Sequence, residues 1–137
     1  MTELAAILAA MSLGAMLFFS AIVAPTTFAA LPSDHAGAFL RALFPKYFLI
    51  NGVVAGVAGL LVLGRTESML LLGCCAAMLA VTVWMIPIIN AARDRMLAGT
   101  AGAKAEFASW HRASVVVNLL EMIGLGAAIV LLMRTSI

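Results

Sequence analysis

Four apolar runs dominate the chain, and each is long enough to cross a lipid bilayer as an α-helix. They lie at residues 4–24, 47–64, 69–89 and 113–133. An α-helix rises about 1.5 Å per residue, so about 20 residues cross the hydrocarbon core of a bilayer. With 65% hydrophobic and only 10% charged residues, the composition excludes a soluble globular domain, which is typically about half apolar and a quarter charged. The sequence therefore predicts an all-α integral membrane four-helix bundle, formed by a single transmembrane domain over residues 1–137.

The connections before the second and fourth runs are expected to carry short amphipathic helices. Ser33 or Asp34 is a suitable N-cap for a helix over residues 35–44 that lies in the membrane interface, and Pro45 suits the first turn of the second span. Residues 90–112 are expected to form the second such connection, as a helical extension of span three through Met96, a break at Gly99–Gly102 and a helical approach to span four. The turn at residues 64–68 is short, so spans two and three should be antiparallel neighbours.

Lysine and arginine are concentrated in the two longer connections. Six basic residues lie there, whereas Arg65 and Arg134 are the basic residues on the other side of the membrane. The positive-inside rule therefore predicts that both long loops are cytoplasmic and both termini outside, and the inner membrane of a bacterium is the expected location. The first run follows Met1–Thr2–Glu3 and is expected to be a retained span, because a signal peptide would begin with a basic region.

The fourth run contains a carboxylate, Glu121, near its middle. An ionised side chain at the centre of a membrane helix costs roughly 2.5 kcal/mol or more, so such residues usually face the protein interior and have a function. At about 100° per residue, Phe107, His111, Ser114, Asn118 and Glu121 share an arc of roughly 80°. One face of the last helix is therefore polar, and the rest of its surface is apolar.

Polar residues on the other spans are expected to meet this face. Counting along the helices places Ser20, Asn51 and Thr82 at depths close to those of Asn118 and Glu121. For Ser20, Asn51 and Thr82, hydrogen bonding that only fixes helix packing is the favoured interpretation, at about 0.6 kcal/mol per bond. For Glu121 with His111 and Asn118, function is favoured. The predicted ligand pocket opens toward the cytoplasm and is bounded by Tyr47, Asn51, Asn90, Arg93, His111, Ser114, Asn118 and Glu121.

A metal centre is not predicted. His111 and Glu121 are ten residues apart, about 15 Å along one helix, and cannot share an ion. Cys74 and Cys75 are adjacent within the third run, and methionine in apolar helices usually fills packing gaps. The sequence also lacks a phosphate-binding glycine loop and a catalytic serine motif, so catalytic residues are unknown.

Small residues at four-residue spacing allow close helix contacts on spans two and three. Gly52, Gly56 and Gly59 lie on span two, and Gly73 and Ala77 on span three. They indicate either packing within the bundle, which is favoured, or the seam of a homodimer. The expected partners are the lipid bilayer and a small-molecule or ion ligand, with no role for nucleic acid.

Several motifs together resemble the TMEM205-like family of four-span membrane proteins, a domain class of unknown function. The most specific are Leu-Phe-Pro-Lys-Tyr-Phe at residues 43–48 and the stripe that contains Phe107, His111, Ser114 and Asn118. The human member of that family is associated with tolerance of platinum drugs, so the resemblance implies handling of metals or small toxic compounds. Glu121 lies beyond the matched stripe. A more distant similarity, in helix count and in the histidine and arginine that open the last span, is to the anthrone-oxygenase-like membrane proteins.

Three functions remain open from the sequence. The first is a membrane protein that binds or translocates a small ligand or ion, with Glu121 as the charge or proton site, Asn51 and Asn118 as orienting groups and His111 as a gate or proton acceptor. The second is a small redox enzyme or oxygenase that binds haem or quinone through His111. The third is a structural subunit that stabilises a partner.

Overall fold

The chain folds into four long helices joined by short connections. The computed structural model describes residues 1–134. Helix α1 spans Thr2–Ala30, α2 spans Ser33–Leu61, α3 spans Thr66–Leu97 and α4 spans Ala103–Arg134. No strand occurs in that range, and all four helices are long and apolar enough to cross a membrane. The predicted all-α four-helix bundle and the class of integral membrane protein are confirmed.

The first amphipathic segment differs from the prediction, because it is continuous with α2 and is not a separate helix. Helix α2 begins at Ser33, with Pro32 in the capping position, and runs through Pro45 without interruption. Pro45 has no N–H to donate to the carbonyl group of Arg41, yet the helix continues past it. Hydropathy marks where a chain becomes polar, but a polar segment can remain helical. The start of α2 was therefore predicted too late in the chain. The expected break at Gly99–Gly102 is confirmed, since both glycines have positive φ angles, 75° and 78°.

Helices α1 and α3 each contain a π-helical turn ahead of a proline. The turns are Phe19–Val23 in α1 and Val81–Met85 in α3, and each is followed by a proline two residues later. Proline has no N–H group for the backbone hydrogen bond of a regular α-helix, and the wider π-helical turn accommodates the missing bond. A hydroxyl residue, Ser20 or Thr82, takes the second position of each turn, so the two helices share a local pattern.

Glycines bring α2 and α3 into close contact. A Cβ atom at Gly52 would lie 3.2 Å from the Cβ of Met78, and one at Gly59 would lie 2.9 Å from Leu72. These glycines therefore pack within the bundle, which is the interpretation favoured from the sequence. Helix α1 packs on α2 and α4, and α3 packs on the same two helices. The homodimer stays a prediction.

Candidate functional site

A chain of hydrogen bonds connects α1, α2 and α4 inside the bundle. The Ser12 hydroxyl donates to Oδ1 of Asn51 at 2.8 Å, and Nδ2 of Asn51 donates to the Tyr47 carbonyl oxygen at 2.8 Å. The Tyr47 hydroxyl donates to Oδ1 of Asn118 at 2.9 Å, and Nδ2 of Asn118 donates to the Ser20 hydroxyl at 3.3 Å. We call these five residues the Tyr47 network. Three residues of the predicted pocket, Tyr47, Asn51 and Asn118, are thus brought together.

Local geometry places the network on the inner face of α2. Tyr47 and Asn51 are four residues apart, so they lie one above the other on one side of the helix. The Tyr47 ring packs against Phe19, with ring centroids 4.4 Å apart, and against Phe48 at 4.9 Å. Both network residues of α2 are buried, at 8% and 5% exposed. The aromatic contacts fix the ring so that its hydroxyl reaches across to α4.

Glu121 is buried one turn beyond Asn118 on α4. The residue is 3% exposed, and neither carboxyl oxygen has a hydrogen-bond partner within residues 1–134. The nearby thiol of Cys74 on α3 is directed instead at the backbone carbonyl oxygen of Glu121, at 3.8 Å. Buried polar side chains are hydrogen-bonded in the large majority of cases, so this carboxyl is an exception that requires an explanation.

The remaining residues of the predicted pocket lie apart from the network. Ser114 donates to the carbonyl oxygen of His111 at 2.7 Å, within its own helix. His111 is exposed and stacks on Phe107, with ring centroids 5.9 Å apart. Asn90 is half-buried. The guanidinium group of Arg93 lies against α2 at Gly37, in the space that a Cβ atom at that position would occupy. No hydrogen bond in the described part of the chain links these four residues to the network, and their membership of one pocket stays a prediction.

Ser20 and Thr82 use their hydroxyl groups differently, although both lie in π-helical turns. Ser20 accepts a hydrogen bond from Asn118 across the bundle. Thr82 donates to the carbonyl oxygen of Met78 on its own helix at 2.9 Å. Of the two, only Ser20 makes a side-chain hydrogen bond to another helix within residues 1–134.

Sequence reasoning missed two residues at this site, Ser12 and Cys74. A span that begins at residue 47 does not place Asn51 level with Ser12, whereas the observed helix begins at Ser33. Counted from Ser33, Asn51 is level with the middle of α1, where Ser12 lies. The spacing of Ser12, Met16 and Ser20, four residues each, places all three on one face of α1 and was the available signal.

Two ion pairs connect the helices at the end of the bundle where α2 and α4 begin. Arg41 of α2 contacts Asp94 of α3 through two hydrogen bonds, of 2.6 and 3.1 Å. Arg95 of α3 contacts Glu106 of α4 at 2.6 Å. All four side chains are largely exposed, so each pair contributes little to stability. No group of three His, Cys, Asp or Glu side chains suited to a metal ion occurs among residues 1–134.

These features define a helical membrane protein with a polar network and an unpartnered carboxyl group inside its bundle. Residues 7–98 match the family described as Domain of unknown function (DUF4149), and the chain belongs to that family. The matched residues end before α4, so Asn118 and Glu121 lie outside them. The resemblance to the TMEM205-like family is not confirmed.

A relative in Aquifex aeolicus (strain VF5), described as an uncharacterized protein, is 40% identical over 70 residues. The aligned residues make up 51% of this chain and 52% of the relative, so the chain covers about half the length of that protein. No solved structure matches the chain.

Proposed function

We propose that this membrane protein binds or translocates a small ligand or ion at a polar site within the bundle, with the Glu121 carboxyl as the exchanging group. The supporting observation is that Glu121 is 3% exposed and that neither of its oxygens has a hydrogen-bond partner in the described chain. An ionised carboxylate without a partner is strongly disfavoured in an apolar interior. The group therefore holds either a proton or a cation, and exchange between the two gives it a function.

The neighbouring residues take the roles that their contacts allow. The Tyr47 network holds Asn118 in place one turn from Glu121, since both polar ends of the Asn118 amide are hydrogen-bonded. Asn51 supports Tyr47 from the same helix. His111, exposed near the start of α4, serves as the gate at the cytoplasmic end in an orientation with both termini outside. The TMEM205-like resemblance, with its association with small toxic compounds, fits a protein that handles small ligands.

Infrared difference spectroscopy of the purified protein in lipid tests proton exchange at Glu121. Spectra at acidic and alkaline pH should differ by the C=O stretching band of a protonated carboxyl in an apolar environment. That band should be missing in Glu121→Gln. The matched control is Glu106→Gln on the same helix, which removes an exposed carboxyl that pairs with Arg95 and should leave the band in place.

Proton flux into vesicles provides the functional readout. Proteoliposomes loaded with a pH-sensitive dye should acidify faster with the wild-type protein than without protein, when a potassium gradient and valinomycin set the membrane potential. Glu121→Gln should reduce the rate to that of empty vesicles, whereas Glu106→Gln should not. If the infrared band does not change with pH and the flux is the same in both variants, the proposal is wrong.

A structural role is the second candidate, and the complete pairing of the Tyr47 network supports it. Hydrogen bonds between three helices would by themselves fix the bundle for docking to another protein. This candidate predicts that Glu121→Gln changes neither the infrared band nor the flux, while substitutions in the network change stability.

A further inference from the structure

An apolar groove runs along the seam between α3 and α4 and includes Glu121. Leu70, Gly73 and Ala77 of α3 line it, together with Val117 and Leu120 of α4. Glu121 contributes to its lining, and both carboxyl oxygens of that residue are buried. The groove is therefore an open, mainly apolar depression with one carboxyl-bearing residue in its lining.

The groove is open along the side of the bundle. Met69 and Leu120 line its sides and are 77% and 61% exposed. Large apolar side chains with such exposure, near the middle of a spanning helix in the case of Leu120, face lipid. A molecule that enters this groove therefore arrives from the hydrocarbon layer.

A second groove continues the first along the same seam. Ala77 and Val117 line both, and the second is also lined by Trp84 and Trp110. Aromatic faces attract cations as well as apolar groups. The seam is open beside Gly73, since a Cβ there would meet no atom within 4 Å.

We propose that the α3–α4 groove admits a lipophilic organic cation from the bilayer and that Glu121 is its counter-ion. This inference rests on the proposed function and names the class of ligand. The apolar walls match an apolar body, and the buried carboxyl, which has no partner within residues 1–134, matches a positive charge. A hydrated inorganic cation fits poorly, because it requires several oxygen ligands and the walls are apolar. A lipid acyl chain fits the walls but leaves the carboxyl uncompensated.

Binding requires a small movement and the release of a proton. The Glu121 side chain must rotate toward the groove, since its oxygens are covered. Under the proposed function the carboxyl of the empty protein holds a proton, so each cation that binds displaces one proton. Affinity should therefore fall as the pH is lowered.

Tetraphenylphosphonium is a suitable probe, with tetraphenylborate as an anion of the same size. Equilibrium dialysis against the wild-type protein in lipid nanodiscs should detect the cation, with affinity that increases with pH, and much weaker binding of the anion. Glu121→Gln should weaken binding of the cation by at least about tenfold, which corresponds to 1.4 kcal/mol of lost interaction. Ala77→Leu should also weaken it, because the larger side chain narrows the groove while the carboxyl remains. The matched control is Ala10→Leu at an exposed position of α1, which should bind as the wild type does.

Alkylation of Cys74 gives a second measurement that leaves Glu121 in place. In a Cys75→Ser background, a lipophilic maleimide should modify Cys74, which lines the groove beside Glu121, and tetraphenylphosphonium should slow that reaction. This assay tests whether the cation occupies the groove even if Glu121→Gln fails to fold.

The outcomes separate this inference from the proposed function. Equal binding of cation and anion that Glu121→Gln does not change indicates a lipid site and overturns the inference. So does a change in oligomeric mass upon Ala77→Leu without binding of the cation, which indicates that a second copy of the chain covers the groove. If the infrared band of Glu121 still responds to pH in either case, the proposed function stands with a different ligand.

Discussion

The Tyr47 network and the Glu121 carboxyl are two polar regions of one helix bundle with opposite hydrogen bonding. They are one helical turn apart on α4. In the network, Asn118 donates to Ser20 and accepts from Tyr47, whereas both Glu121 oxygens lack a partner in the described part of the chain. A polar group whose bonds are satisfied stabilises packing, and one whose bonds are missing costs stability. The network therefore joins helices through its side chains, whereas the Glu121 oxygens join none in that part of the chain, and this contrast is what supports the exchanging role proposed for Glu121.

The largest effect is expected from breaking the network at Asn51. In Asn51→Leu the buried Ser12 hydroxyl loses its acceptor, and the free energy of unfolding should fall by about 1 to 3 kcal/mol. Reversible unfolding in mixed micelles with a denaturing detergent measures this change.

The double variant Ser12→Ala/Asn51→Leu is the control for that experiment. Removing both partners leaves no unpaired donor at this contact, so much of the lost stability should return. If the double variant loses the sum of the two single losses, the Ser12–Asn51 contact is not a coupled pair and the network is weaker than its geometry suggests.

Removal of the Glu121 carboxyl should change the free energy of unfolding in the opposite direction. Glu121→Met replaces it with an unbranched apolar side chain and should raise the free energy of unfolding by about 1 kcal/mol, because an unpartnered buried polar group is lost. The same unfolding assay measures the gain. Glu121→Met should also remove the pH-dependent infrared band, so stability and function should change in opposite directions. A loss of stability as large as that of Asn51→Leu would indicate that the carboxyl has a structural partner.

A smaller loss is expected for Tyr47→Phe. The ring and its packing against Phe19 remain, and only the hydrogen bond to Asn118 is lost. Hydrogen bonds between membrane helices average about 0.6 kcal/mol, so the unfolding free energy should fall by about that amount. Asn118 also loses one of the two network bonds that hold it, while its bond to Ser20 remains. A change in the pH dependence of the Glu121 infrared band would then indicate that the network positions the exchanging group.

The sequence predicted the bundle well and its polar interior in part. Apolar runs as long as a bilayer is thick indicated four helices, and a polar stripe at helical spacing indicated that Asn118 and Glu121 share a face. The pairing of Tyr47 with Asn118 could not be predicted without the relative depth of α2 and α4 in the membrane. That depth depends on where α2 begins, and hydropathy does not mark the start of a helix whose first turns are polar. The groove beside Glu121 could not be predicted, because it depends on the distance between α3 and α4.

The smallest effect is expected at Thr82, and it tests whether burial or pairing decides the contribution of a polar residue. Thr82 lies in a π-helical turn of α3 at the position that Ser20 takes in α1, but it donates to Met78 of its own helix. Because it links no two helices, Thr82→Val should change the unfolding free energy by less than about 0.5 kcal/mol. Ser20→Ala removes a bond between helices and should cost more, even though Ser20 is the more exposed of the two residues. If Thr82→Val lowers the unfolding free energy more than Ser20→Ala does, burial and not pairing between helices decides how much a polar residue contributes to stability. The contrast between the paired network and the unpaired carboxyl would then not explain their different roles.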